Sequence, residues 1–142
     1  MKTVYFVEDE GVLRNLFTEY CSLALSDLKI IGNSGNGQVA LQECIEKKPD
    51  LAILDIRLPE VSGLEILHIL KKRLPDTKVV MFTGITSPDT IQLAIKGKAD
   101  AFLEKSDGID QIKQAIESIA TGNRYYSPKV YKHILNTSMS GV

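Results

Sequence analysis

Five short runs of apolar and β-branched residues recur along the chain, and segments with helical spacing lie between them. The interior of each run is nearly continuous in apolar residues, which is typical of a strand covered on both faces. Strands that alternate with helices favour a parallel sheet between two layers of helices. The runs that we interpret as strands are residues 2–7, 28–33, 51–55, 78–83 and 100–105.

This alternation predicts an α/β fold of the flavodoxin-like (βα)5 type, a three-layer sandwich with a parallel five-stranded sheet. Right-handed crossovers and the strand order 2-1-3-4-5 would place the topological switch point between strands one and three. In open sheets of this kind, ligands bind at the carboxyl ends of the strands. We therefore expect the functional residues at those ends.

The length of 142 residues suits one domain. We assign residues 1–122 to it, because Gly122 follows the last periodic helix as a C-terminal capping residue would. In residues 123–142, the stretch "YYSPKVYKHILN" predicts one more short helix that starts at Ser127-Pro128. The final "TSMSGV" has the composition of a linker. The expected fold therefore includes a short C-terminal helical extension.

Composition argues against several classes of function. The net charge is −1 and basic residues show no strong clustering, which argues against a nucleic-acid-binding surface on this domain. No apolar run approaches the roughly 18 residues of a membrane span. Cys21 and Cys44 have no further Cys or His at ligand spacing, so we predict two buried free thiols. Free thiols, and a chain that opens on a strand-like run without a signal peptide, favour a cytoplasmic protein.

Polar and charged residues stand at the ends of four predicted strands. Strand one ends in Glu8 and Asp9, strand three in Asp55, strand four in Thr83 and strand five in Lys105. Crowded carboxylates repel one another unless a cation balances them, and oxygen ligands suit Mg²⁺. An ammonium and a hydroxyl on the other flank would complete a site for a phosphoryl group, with a carboxylate as the nucleophile.

Each of these residues also has an ordinary structural interpretation. An Asp at a strand end is usually a turn residue or a helix cap, and Glu8 or Asp9 could simply begin a helix. Thr83 is a good strand former, and Lys105 could be a solvated strand end. Their joint occurrence at one edge of one sheet favours the functional interpretation of the set.

Four motifs, in order and at suitable spacing, resemble the receiver domain of bacterial two-component response regulators. They are "VEDE", "PDLAILDIRLPEVSGLEIL", "VVMFTG" and "AFLEK", and the resemblance covers residues 1 to about 122. It implies a signalling domain rather than an enzyme, namely a phosphoacceptor that promotes its own phosphorylation and dephosphorylation.

The resemblance implies a metal site around the phosphoacceptor. Asp55 matches the residue that accepts the phosphoryl group, and Asp9 matches a direct ligand of Mg²⁺, or of Mn²⁺ in its place. Glu8 would assist through a water molecule. Asp55 itself and the backbone carbonyl of Arg57 would complete the protein ligands.

The resemblance also implies residues that sense the phosphoryl group. Thr83 matches the hydroxyl that moves to a phosphoryl oxygen, and Lys105 matches the cationic partner of that oxygen. Phe102 matches an aromatic switch whose inward rotamer accompanies the active state, although it could equally be one more core residue of strand five. Arg57 and Ile85, each two residues after a site residue, are predicted to tune the lifetime of the phosphoryl group.

One departure from the receiver pattern points to a subfamily. Many receivers carry Pro after this lysine, often with a cis bond, whereas Ser106 stands here and no cis bond is expected. The stretch "EKSDGIDQIKQAIESIATGNRYYSPKV" resembles the NarL/FixJ/LuxR-type subfamily, in which a helix-turn-helix DNA-binding domain normally follows a linker. A single-domain regulator is the alternative.

The implied partners follow from this subfamily. They are a sensor histidine kinase or a phosphotransfer protein as phosphoryl donor, DNA only through a helix-turn-helix domain outside this sequence, and a second copy as a candidate partner. Membrane contact is not expected. The implied biological role is the control of bacterial transcription.

Two other classes of function share part of the pattern. Haloacid-dehalogenase-type phosphatases also use Asp, Thr, Lys and Mg²⁺, but they carry a "DxD" motif whose second Asp is the general acid. Here Arg57 stands two residues after Asp55, so that acid is missing. A receiver-like module that binds partners without phosphorylation is the third hypothesis, and the complete acidic set argues against it.

Overall fold

The computed structural model describes residues 1–84 and 87–140, with side chains described as far as residue 136. The prediction for Ile85 therefore concerns a position outside the described residues. The strands are β1 (Thr3–Val7), β2 (Lys29–Ser34), β3 (Leu51–Leu54), β4 (Lys78–Thr83), β5 (Ala101–Glu104) and β6 (Tyr125–Tyr126). The helices are α1 (Gly11–Ala24), α2 (Gly37–Lys47), α3 (Gly63–Arg73), α4 (Pro88–Lys96), α5 (Gln111–Ala120) and α6 (Pro128–Ser140), and a 3-10 turn spans Lys105–Asp107.

The described strands form one parallel sheet of order β2-β1-β3-β4-β5-β6. The predicted order of the first five strands is confirmed. The prediction of five strands is wrong, because the short β6 adds a sixth at the outer edge of β5, with Tyr126 opposite Phe102. A strand of two residues is too short to show either alternation or an apolar run, so no periodic pattern could reveal it.

The two faces of the sheet carry separate hydrophobic clusters. Val4 and Phe6 of β1 belong to one cluster, and Tyr5 and Val7 belong to the other, as the alternation of side chains along a strand requires. α1 and α5 supply the first cluster, whereas α2, α3, α4 and α6 supply the second. Burial of both faces explains the nearly continuous apolar strands, and the predicted three-layer sandwich is confirmed.

Only part of the apolar surface of α1 is buried. Phe17 and Cys21 are covered, whereas Val12, Leu16 and Leu23 are exposed to 76%, 47% and 86%. The apolar spacing therefore predicts the helix correctly but overstates the width of the stripe that meets the sheet.

Predictions from composition can be compared directly with the structure. Cys21 and Cys44 are buried free thiols. All peptide bonds in the described ranges are trans, including the bond between Lys105 and Ser106. Within residues 1–84 and 87–140, no helix has both the length and the apolar character that a membrane crossing requires.

The C-terminal helix packs onto the domain. Ser127 donates its backbone N–H to the carbonyl of Phe102 and accepts a hydrogen bond at Oγ from the N–H of Glu104, at 3.1 and 2.9 Å. Val130 is fully buried in the same cluster as Phe102 and Ile91. α6 thus covers the outer end of the sheet, and it continues to Ser140, beyond the "YYSPKVYKHILN" pattern.

Candidate functional site

The adjacent strands β1 and β3 bring three acidic residues together at their carboxyl ends. Val7 pairs with Leu54, so the residues that follow them, Glu8 and Asp55, emerge side by side. Asp9 comes next, in the loop before α1. One carboxylate oxygen from each of these three acidic residues lies within 4.8 Å of the other two. The structure therefore brings the predicted acidic residues into one cluster.

The three carboxylates lie at different depths. Glu8 is 1% exposed and Asp55 is 6% exposed, whereas Asp9 is exposed. Asp55 is held by two backbone contacts: its N–H donates to the carbonyl of Val7 at 3.0 Å, and its Oδ1 accepts from the N–H of Ile56 at 2.7 Å. The site is therefore a crevice with two carboxylates at its floor and one at its mouth.

A glycine makes room for the loop that carries Asp55. The N–H of Gly63, the first residue of α3, donates to the carbonyl of Ile56 at 2.8 Å. A Cβ at position 63 would collide with the backbone carbonyl of Asp55. α3 can approach the phosphoacceptor candidate this closely only because its first residue lacks a side chain.

Lys105 lies between the two buried carboxylates. Its Nζ is 2.8 Å from Oδ2 of Asp55 and 2.7 Å from Oε2 of Glu8. Lys105 follows β5, two strands away from β3, so the strand order is what brings this cation to the acidic cluster. One ammonium group cannot neutralise three carboxylates.

Burial and the excess of negative charge together shift the pKa values of Glu8 and Lys105. Burial raises the pKa of Glu8 from 4.5 to about 7, and the neighbouring Asp55 adds to the rise, although Lys105 opposes it. Burial alone would lower the pKa of Lys105, but its contacts with Asp55 and Glu8 outweigh burial, and the pKa is raised. The lysine therefore stays charged while the acidic cluster still lacks positive charge.

Three further predicted residues lie on the strands and the loop that lead to this edge of the sheet. Thr83 is the last residue of β4 and is fully buried. Phe102, three residues before Lys105, is also fully buried, in the hydrophobic cluster that contains Ile91 and Val130. Arg57 lies two residues after Asp55 in the loop that leads to α3, with its side chain in solvent.

The donor set suits a small divalent cation. Mg²⁺ prefers oxygen ligands, takes few of them from the protein and keeps several waters. The carboxylates of Glu8, Asp9 and Asp55 offer such oxygens within 4.8 Å of one another. A cation here would also relieve the repulsion that contributes to the raised pKa of Glu8.

A family model described as the response regulator receiver domain matches residues 4–117 of this chain. The chain belongs to the receiver domain family. The family predicted from the four motifs is therefore confirmed. The match covers every strand-end residue of the site, from Glu8 to Lys105.

Individual relatives place this receiver among regulators of one type. It is 28% identical over 133 residues to the response regulator protein VraR of Staphylococcus aureus, which covers 94% of this chain. The receiver spans about 63% of the length of that relative. A solved DNA-binding response regulator of the LuxR family, also from Staphylococcus aureus, is 27% identical with a TM-score of 0.78, over 82% of this chain and 97% of that one. These similarities fit the NarL/FixJ/LuxR-type resemblance of the sequence.

Solved structures with lower identity share the fold. A LuxR-family two-component response regulator from Aurantimonas sp. SI85-9A1 has a TM-score of 0.89 at 20% identity, over 96% of this chain and 97% of that one. The isolated REC domain of RcsB from Salmonella enterica serovar Typhimurium has a TM-score of 0.84 at 13% identity, over 93% of this chain and 97% of that one.

Sequence reasoning missed one residue that touches the receiver site. Arg14, in α1, donates from Nη1 to the backbone carbonyl of Glu8 at 2.6 Å. No motif flagged Arg14, because a single basic residue on a surface helix is indistinguishable from an ordinary solvated charge.

Proposed function

We propose that this receiver domain accepts a phosphoryl group on Asp55, with Mg²⁺ bound beside it. The observation that carries the proposal is the position of Asp55 at the floor of an acidic crevice, with Lys105 Nζ 2.8 Å from its Oδ2. A buried carboxylate beside a fixed cation and two further carboxylates fits a nucleophile that meets a metal-bound phosphoryl group.

The donor in this proposal is the phosphohistidine of a sensor histidine kinase or of a phosphotransfer protein. A carboxylate oxygen of Asp55 forms the new O–P bond while the P–N bond of the phosphohistidine breaks. The electron pair of that bond stays with the imidazole nitrogen, and the product is an acyl phosphate. The domain then promotes loss of the same group to water, which resets the signal.

Glu8, Asp9, Asp55 and the backbone carbonyl of Arg57 would hold the metal, with Glu8 acting through water. When bound, Mg²⁺ would supply the positive charge that balances the phosphoryl oxygens during transfer. The loop that starts at Asp55 keeps the nucleophile in place, because the Ile56 N–H holds its Oδ1 at 2.7 Å.

The switch in this proposal starts from Lys105 and Thr83. A phosphoryl group on Asp55 carries more negative charge than the carboxylate it replaces, so it competes for the ammonium that now contacts Glu8 and Asp55. The hydroxyl of Thr83, at the end of the neighbouring strand, turns toward the same group. The movement of Thr83 opens space for Phe102, the proposed aromatic switch, and this biases a pre-existing two-state equilibrium.

The proposed output is the control of transcription. In this proposal residues 1–122 form the receiver, and residues 123–142, whose β6 and α6 pack on it, are a C-terminal extension that leads toward a helix-turn-helix domain through which DNA is bound. Homodimerisation is the proposed change of assembly. The free thiols Cys21 and Cys44 fit a reducing compartment, which supports action in the cytoplasm.

The direct test is incubation of the purified chain with Mg²⁺ and acetyl phosphate, followed by intact-mass spectrometry. The expected result is the gain of one phosphoryl mass with Mg²⁺, and no gain when EDTA replaces Mg²⁺ in the incubation. Asp55→Asn should gain none, whereas Asp76→Asn, an exposed residue before β4, should gain it as the unmodified chain does. Equal labelling of Asp55→Asn would refute the proposal, and steady turnover of an aryl phosphate would favour a phosphatase.

A further inference from the structure

We infer that Arg14 is a positioning residue for the metal site, which it serves by fixing the backbone of the loop that carries Glu8 and Asp9. This inference rests on the proposed function, because it concerns the same Mg²⁺ ligands. The guanidinium of Arg14 has no described contact with either carboxylate. It acts instead through the carbonyl of Glu8, 2.6 Å from its Nη1.

The loop needs such an anchor because of how α1 begins. α2, α3 and α4 are capped by the side chains of Asn36, Ser62 and Ser87, each of which accepts a backbone N–H of its own first turn. Glu10 at the start of α1 makes no such hydrogen bond in the described structure. Within the loop, the N–H of Glu10 donates to Oε1 of Glu8 at 3.2 Å, but no side chain caps the first turn of α1 in the described structure, as is also true of α5.

Arg14 supplies the missing tie from one turn along the helix. Its backbone N–H makes the ordinary helical hydrogen bond to the carbonyl of Glu10 at 3.0 Å, and its guanidinium adds a second contact, to the carbonyl of Glu8. The two contacts hold both ends of the loop against α1. The peptide between Glu8 and Asp9 is thereby fixed in the orientation that directs one carboxylate to the floor of the crevice and one to its mouth.

The chemistry of the contact leaves the metal ligands available. A guanidinium has only donors, and a carboxylate would be its strongest partner. Arg14 uses a neutral carbonyl instead, so it adds a positive charge beside the acidic cluster without occupying a carboxylate oxygen. Lys105, by contrast, contacts an oxygen of Glu8 and one of Asp55 directly.

A glycine in the neighbouring loop is matched to this arrangement. A Cβ at Gly35, just after β2, would lie 2.5 Å from Nη1 of Arg14 and 3.3 Å from Cα of Asp9. The guanidinium therefore occupies the space that a side chain at position 35 would need. Two separate segments of the chain, α1 and the loop after β2, are adapted to one position of this guanidinium.

The first test measures Mg²⁺ binding to the unphosphorylated chain by isothermal titration calorimetry. Arg14→Ala should bind Mg²⁺ about tenfold more weakly, because the loss of the charge-assisted hydrogen bond that fixes the loop outweighs the relief of repulsion between the guanidinium and the cation. The control Lys29→Ala removes one exposed positive charge at the far end of β2 and should bind as the unmodified chain does. Equal affinity of Arg14→Ala and Lys29→Ala would overturn the inference.

A double-mutant cycle separates positioning from general damage. Gly35→Ala should also weaken Mg²⁺ binding, because the new methyl group displaces the guanidinium. In the Arg14→Ala background the same change should cost less, since the nearest remaining atom is Cα of Asp9. An equal cost in both backgrounds would contradict a shared mechanism.

Hydrogen exchange of the metal-free chain supplies a readout that does not depend on Mg²⁺. The amides of Asp9 and Glu10 should exchange faster in Arg14→Ala than in Lys29→Ala, while amides in β3 stay unchanged. Unchanged exchange at Asp9 and Glu10 would overturn the inference. If the unmodified chain binds no Mg²⁺, the proposed function fails, and this exchange experiment still decides the role of Arg14.

Discussion

At the carboxyl edge of the sheet three acidic residues crowd one another, whereas at the amino edge Asp50 and Asp100 are each held by hydrogen-bond donors. Glu8 and Asp55 share the ammonium of Lys105, and the pKa of Glu8 is raised to about 7, first by burial. Asp50, before β3, accepts from the N–H groups of Lys2 and Thr3 at 2.8 and 3.0 Å, and its pKa is lowered, first by those backbone contacts.

Asp100, before β5, is also held by hydrogen-bond donors at the amino edge. Its Oδ2 accepts from the N–H of Val79 at 2.8 Å and from Nζ of Lys71 at 2.6 Å. Each of these two carboxylates at the amino edge accepts from at least two donors, whereas the two buried carboxylates at the carboxyl edge share one ammonium group. The carboxyl edge is therefore a place where stability is given up for binding, which is typical of functional sites.

The largest expected effect is the difference in unfolding free energy lost on replacing Lys105, at the carboxyl edge, and Lys71, at the amino edge. Lys105→Met leaves Glu8 and Asp55 buried without their shared cation, and we expect a loss of about 3 kcal/mol in the free energy of unfolding at pH 8. Lys71→Met should cost about 1 kcal/mol, because Asp100 keeps the N–H of Val79. Urea unfolding in EDTA measures both values.

Mg²⁺ sharpens this comparison. It should restore part of the stability of Lys105→Met, since it supplies charge to the same carboxylates, and it should stabilise Lys71→Met no more than the unmodified chain. Equal losses for the two variants, or equal responses to Mg²⁺, would show that the edges do not differ as described.

The second prediction concerns pH. The pKa of Glu8 is higher in the folded state than its ordinary value of 4.5, so the folded state binds more protons between pH 4.5 and about 7. Stability in EDTA should therefore fall as pH rises through this window, by an amount on the order of 1 kcal/mol from Glu8. Glu8→Gln should remove most of this slope, as followed by urea unfolding at each pH.

Saturating Mg²⁺ should reduce the same slope in the unmodified chain, because the cation favours the ionised carboxylate. The control is Glu46→Gln, which replaces an exposed residue of α2 and should leave the slope in place. A slope that survives in Glu8→Gln would assign the pH dependence to other groups.

The smallest effect is expected at the amino edge. The pKa of Asp50 is lowered in the folded state, so its contribution to stability is present above its ordinary value of 3.8 and is lost as pH falls through the folded value. Because Asp50 is exposed, Asp50→Asn should cost less than about 1 kcal/mol at pH 7 in thermal or urea unfolding. The affinity of Asp50→Asn for Mg²⁺ should equal that of the unmodified chain. A weaker affinity would contradict the claim that only the carboxyl edge binds the cation.

The sequence predicts the sheet well because burial on both faces leaves a strong signal. The apolar runs around Ile53 and Val80 mark central strands, and the flavodoxin-like order taken for such an alternation of strands and helices is the order of the first five strands. The acidic cluster follows from that order alone, since Glu8 and Asp55 end adjacent strands.

Other features leave no comparable signal. β6 is too short for periodicity, and its pairing depends on how Ser127 bonds to the backbone of β5. The exposure of Val12 and Leu23 depends on how α1 is rotated against the sheet, which apolar spacing does not fix. The contact between Arg14 and Glu8 joins a side chain to a backbone carbonyl, and any residue offers such a carbonyl.

The central claim is that the phosphoryl group is placed on Asp55, and mapping of the acyl phosphate tests it most directly. The chain is labelled with acetyl phosphate and Mg²⁺, reduced with borohydride, digested and sequenced by mass spectrometry. Hydride converts the acyl phosphate carbon to an alcohol and releases phosphate, so the modified carboxylate is marked permanently. The account predicts that the side chain at position 55 alone carries the alcohol. An alcohol at Glu8 or Asp9, with Asp55 unmodified, would contradict it.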